Sequence, residues 1–148
     1  MKKTILFLNI MTMSACLSVS AQAIKEERRT GVKTEYEKID KVLELYVDGL
    51  RKGNVSLLQQ AFFSEGQFCR LSNQNDVQCK KFAEELSEWV KIPEPNSSGK
   101  ILSLELEGSM AKVTFKLNFG TTVFVDYLTM YKSKTNWKIV SKATWIHE

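Results

Sequence analysis

The sequence predicts an α+β domain, with three helices toward the N-terminus and a mainly antiparallel sheet toward the C-terminus. Two observations carry this. Apolar residues recur near the helical period from Tyr36 to Val90, then alternate at period two from Lys100 onward. The alternating stretches are joined by short turn signals, Gly108-Ser109 and Gly120-Thr121, which make consecutive strands antiparallel neighbours in a meander. Helical stripes that precede such a sheet must be buried on one of its faces.

The first stretch reads as an address rather than as fold. Lys2 and Lys3 form a basic n-region, and Ile5 to Leu17 is an apolar segment shorter than a membrane span of about 20 residues. Ala21-Gln22-Ala23 supplies the small-x-small pattern of signal peptidase, so cleavage is expected after Ala23. Export to the periplasm or the medium follows. A second route is open, because Met13-Ser14-Ala15-Cys16 resembles a lipobox with Met where Leu is usual. Lipidation at Cys16 would anchor the protein to a membrane. Residues 24–33 are charged and aperiodic and are expected to form a flexible leader, with the domain at 34–148.

Thr34 and Glu37 have capping-box spacing and predict a helix start, followed by a stripe of Tyr36, Ile39, Val42, Leu43, Tyr46 and Leu50. Gly53 suits a left-handed stop. Asn54 can cap a short second helix that packs Leu57, Leu58, Ala61 and Phe62 and is broken at Gly66. A third helix over 81–91 places Phe82, Leu86, Trp89 and Val90 on one side and Glu84, Glu85 and Glu88 on the other. Pro93 and Pro95 end it. The first strand then sets Leu102, Leu104 and Leu106 against Ile101, Ser103, Glu105 and Glu107. The second points Ala111, Val113, Phe115, Leu117 and Phe119 inward. The third puts Asp126, a carboxylate in an apolar run, on one face with Phe124, Leu128 and Met130. Tyr127 and Tyr131 share its other face with Val123, Val125 and Thr129.

Cys69 and Cys79 flank a hairpin pattern centred on Gln74, which brings the two positions opposite one another. In an oxidising compartment they are expected to form a disulfide. A formal charge of +4 over 148 residues, without clustered Lys or Arg, is no nucleic-acid footprint. His147 is the single histidine, so neither a Ser-His-Asp triad nor a zinc site is expected, and no metal or cofactor is implied. No glycine-rich phosphate loop is present.

Y-V-D-G-L-R-K-G-N (Tyr46 to Asn54), the following L-L-Q-Q-A-F-F, and D-Y-L-T-M-Y-K with N-W-K-I-V-S-K resemble the group named “putative lumazine-binding” in the nuclear transport factor 2-like superfamily, also called SnoaL-like or cystatin-like. The resemblance spans about Glu35 to Trp145. It implies a cone-shaped fold in which a strongly curved sheet wraps the first helix, with a pocket between helices and sheet. It also implies a homodimer formed through the outer sheet face. In that fold Tyr46, Phe62, Phe82, Trp89, Phe115 and Asp126 would converge on the pocket. Three readings stand side by side: a non-catalytic binder of small apolar or aromatic molecules, a SnoaL-like isomerase or cyclase with Asp126 as general base, and a dimeric interaction module. Asp126 also has a purely structural reading, bonded to backbone or to a lysine across the sheet.

Overall fold

The computed structural model describes residues 13–72 and 76–147, with side chains over 22–72 and 76–146. Lys2, Lys3 and the first part of the apolar segment lie outside the described residues, as do the side chains of Cys16 and Ala21 and the hairpin centre Gln74. Two units divide the chain between Glu37 and Lys38.

The first unit is helical from Met13, as the opening part of helix α1 (Met13–Lys52). Thr34 is therefore not a helix start. Its hydroxyl donates to the Thr30 carbonyl one turn back, as Thr30 does to Glu26, so both threonines are satisfied inside a helix. Residues 24–33 share this helical backbone, and Tyr36 is exposed rather than part of the buried stripe.

The second unit holds the core. From Lys38 onward α1 buries Ile39, Val42, Leu43, Tyr46, Val47 and Leu50. Gly53 ends it at φ 61°, and Asn54 caps α2 (Val55–Ala61) by accepting from the Ser56 amide at 2.9 Å. The chain then enters β1 (Phe62–Leu71) directly, so Gly66 lies within a strand instead of breaking a helix. A Cβ on Gly66 would stand 2.4 Å from the Val140 carbonyl oxygen, which is why the side chain is absent there. β2 (Val77–Lys81) pairs antiparallel with β1 in the expected register, Cys69 opposite Cys79, and the two are joined by a disulfide.

Helix α3 (Phe82–Trp89) buries Phe82, Leu86 and also Glu85, which the helical wheel had set outward. Four strands follow: β3 (Ser98–Glu107), β4 (Met110–Phe119), β5 (Thr122–Ser133) and β6 (Asn136–His147). The six strands run in the order β2-β1-β6-β5-β4-β3, antiparallel except for β1 against β6. Irregularities interrupt the β3/β4, β5/β6 and β1/β6 registers, and such bulges bend a sheet. One of them corrects an expectation. Ile101 pairs with Phe115 but Ser103 with Thr114, so Leu102 is the extra residue and is exposed, while Ile101 and Leu104 turn to the core. β4 and β5 keep strict alternation, with Ala111, Val113, Phe115, Leu117, Asp126, Leu128 and Met130 buried.

Candidate functional site

The site grows from a charge that an apolar strand cannot leave uncompensated. Asp126 is fully buried in the middle of β5, opposite Thr144 on β6. An isolated carboxylate there would lose its hydration without return. It gains three donors instead. Thr144 Oγ1 donates to Asp126 Oδ1 at 2.7 Å, and Lys142 Nζ donates to Oδ2 at 2.6 Å. The Tyr46 hydroxyl, arriving from α1, donates to the same Oδ2 at 3.1 Å. Lys142 Nζ also donates to Tyr46 Oη at 2.6 Å, which closes a ring of bonds among the three side chains.

Lys142 reaches this position because β6 slips by one residue. Thr129 pairs with Ser141 but Met130 pairs with Ile139, so Val140 is the extra residue of a bulge. Ile139 and Lys142 consequently face the same side of the sheet. The ammonium sits 5.0, 5.2 and 5.6 Å from the ring centroids of Tyr46, Trp89 and Phe68. Burial pushes the Lys142 ammonium below the ordinary lysine range, against the opposing pull of Asp126. Burial first, and then the Asp126 charge, push the Tyr46 phenol well up.

Beside this cluster lies a cavity of about 430 Å³. Tyr46, Phe68, Trp89, Leu117, Phe119 and Phe124 give it an aromatic and aliphatic wall, and the buried Lys142 and Glu85 and the half-buried Thr144 supply its inner polar groups. The exposed side chains of Arg70, Glu88, Lys91 and Ile92 stand at its edge. Phe68 and Arg70 bracket Cys69, so the disulfide-linked hairpin forms part of this wall.

Of the residues singled out in the sequence, Tyr46 and Trp89 line the cavity. Asp126 sits behind Tyr46, Lys142 and Thr144, bonded to all three. Phe62 and Phe82 line a second cavity of about 340 Å³, together with Phe63, Leu86 and Lys138. Phe115 is core, its ring 6.1 Å from that of Tyr46. The rings nevertheless form one connected cluster: Tyr46 meets Phe62 at 5.0 Å and Phe68 meets Trp89 at 5.2 Å, both edge-on. Lys142, Thr144, Phe68 and Arg70 are site residues that the sequence reading did not find. Among the described residues no group of three His, Cys, Asp or Glu side chains is placed to hold a metal ion. Likewise, no described helix is long and apolar enough to cross a membrane.

Residues 34–145 match the family model described as “Putative lumazine-binding”. The chain belongs to that family. Solved structures similar to it share its fold. A nuclear transport factor 2-like protein of unknown function from Shewanella baltica superposes with a TM-score of 0.72 at 21% identity, over 78% of this chain and 95% of the other. One from Silicibacter pomeroyi gives 0.72 at 19% identity, over 78% and 98%. One from Methylobacillus flagellatus gives 0.69 at 19% identity, over 78% and 94%. No curated protein matches the chain. The family member described here thus has a nuclear transport factor 2-like α+β fold, with the aromatic cavity set against its curved sheet.

Proposed function

We propose that this family member is an exported binding protein that holds a small apolar or aromatic molecule in the cavity beside Lys142, without carrying out chemistry on it. The cavity carries the reading. Its volume of about 430 Å³ falls in the range of small-molecule sites, and its surface is largely apolar, with five aromatic rings and charged side chains concentrated at the edge and at the buried Lys142 and Glu85. The family description names lumazine, a bicyclic heteroaromatic, and a ligand of that shape suits stacking against Phe68 and Trp89. The state of Asp126 supports binding over catalysis. A general base must reach a substrate proton, whereas Asp126 is not among the residues lining the cavity and its carboxylate is engaged by three protein donors behind the wall.

Export is supported by the Cys69–Cys79 disulfide, which persists in oxidising compartments, and by the basic, apolar and Ala21-Gln22-Ala23 pattern at the N-terminus. Pairing of two copies through the outer sheet face is supported by Tyr127, Tyr131 and Trp145, aromatic side chains exposed on β5 and β6.

Titration with lumazine and other bicyclic aromatics, followed by Trp fluorescence and thermal shift, tests the reading. Binding that survives Asp126→Asn and is lost in Trp89→Ala is expected. A set of such compounds with no effect on either signal would remove it. Turnover abolished by Asp126→Asn would replace it with an enzymatic reading.

A further inference from the structure

Resting on the cavity being a ligand site, we propose that its ligands are apolar or aromatic acids, with Arg70 taking the carboxylate at the edge and Lys142 offering an N–H to an oxygen acceptor at the inner end. The charges around the cavity lead to this. Glu85 is paired with Lys80, Glu88 with Lys91 at 2.6 Å, and Lys142 with Asp126 at 2.6 Å. Arg70 is the cation left over: among the described residues no carboxylate pairs with it. Its guanidinium instead lies 6.0 Å from the Phe68 ring centroid.

The Phe68 ring is shared. Arg70 approaches it from the edge of the cavity and Lys142 from the buried end, 5.6 Å from the same centroid. A planar body seated along Phe68 and Trp89 would therefore have one cation near each end. The two ends ask for different groups. Arg70 is exposed and uncompensated, so a carboxylate can pair with its fork while keeping part of its hydration. The charge of Lys142 is already matched by Asp126, so a second anion would be buried there without a counter-charge. What Lys142 has left is a hydrogen. Of its three N–H donors, one goes to Asp126 and one to Tyr46, and no described residue accepts the third. A carbonyl or hydroxyl oxygen satisfies it.

Isothermal titration of three probes tests this: 2-naphthoate, the neutral 2-naphthamide, and 6-hydroxy-2-naphthoate. Arg70→Gln leaves the buried cluster untouched, and Asp126→Leu with Lys142→Met removes the buried pair together. 2-Naphthoate is expected to bind more tightly than the amide, and to lose about tenfold in Arg70→Gln or at high salt, while the amide changes little. 6-Hydroxy-2-naphthoate is expected to gain over 2-naphthoate in the natural protein and to lose that gain in the double variant. Acid and amide binding equally, with Arg70→Gln affecting neither, would overturn the proposal and leave the apolar cavity standing. A hydroxyl that adds nothing in the natural protein would overturn the role of Lys142. Failure of all three probes to bind would overturn the cavity reading itself.

Discussion

Lys142 and Asp126 form an ion pair of 2.6 Å between two buried side chains that are diagonal, not directly opposite, across β5 and β6. Their register partners are Leu128 and Thr144, so the pair joins two rungs on one face of the ladder, with Tyr127/Ala143 between them, a diagonal that long side chains still span. Tyr46 ties the pair to α1, joining helix and sheet through one carboxylate oxygen.

Removing one partner should cost far more than removing both. Lys142→Met leaves a buried carboxylate, and Asp126→Leu a buried ammonium; each should destabilise by about 3–5 kcal/mol. The combined variant should recover much of that loss, measured by urea denaturation as a large coupling in a double-mutant cycle. Additive losses would mean that the pair is not a unit.

The Cys69–Cys79 bridge closes a short loop, with the cysteines 10 apart in sequence, and ties the β1/β2 edge of the sheet. Replacing both with Ser, or adding reductant, should lower stability by about 3 kcal/mol and the melting temperature with it. A melting curve indifferent to reductant, with both thiols open to alkylation beforehand, would contradict this.

Gly66→Ala should destabilise the protein by about 1–3 kcal/mol, because the added methyl meets the Val140 carbonyl oxygen and the Phe82 ring. The affected carbonyl belongs to the bulge that turns Lys142 inward. Chemical shifts of the Lys142 side chain should therefore move in this variant, and an undisturbed Lys142 signal would separate the two.

Alkaline pH should weaken the fold through Tyr46. Its folded pKa lies above the unfolded value, so its contribution is fully present below about pH 10 and lost as pH climbs through the folded value. Lys142 acts in the opposite sense. Its folded pKa is depressed, so the cost of charging it in place fades as pH rises toward the ordinary lysine value of about 10.4. The decline above about pH 10 is thus assigned to the phenol, and Tyr46→Phe should flatten it in denaturation series across that range. An identical decline in Tyr46→Phe would assign it elsewhere.

The legible part of this molecule is the part with unbroken period. The α1 stripe from Ile39 to Leu50, the cap at Asn54, the Cys69/Cys79 register and the alternation of β4 and β5 all stand as read, and that alternation is what turned Asp126 inward. Lys142 was hidden for the converse reason. Counting by twos from Trp137 and Ile139 sends it outward, and only the extra residue at Val140 brings it back. The extra Leu102 misled the reading of β3 in the same way. Bulges have no reliable local sequence mark, so the carboxylate and a lysine partner across the sheet could be anticipated, but not that the lysine is Lys142. Thr34 failed differently: a threonine hydroxyl that can cap a helix can equally bond the carbonyl one turn behind it.

Native mass spectrometry of the protein recovered from its natural source tests the binding reading most directly. The account predicts a reproducible small-molecule adduct under native conditions that is absent under denaturing ones, on a polypeptide that begins after Ala23 and is two hydrogens lighter than its reduced form. A protein that is ligand-free under both conditions, and that takes up no apolar or aromatic acid when these are supplied, would contradict it and return the fold to an interaction module.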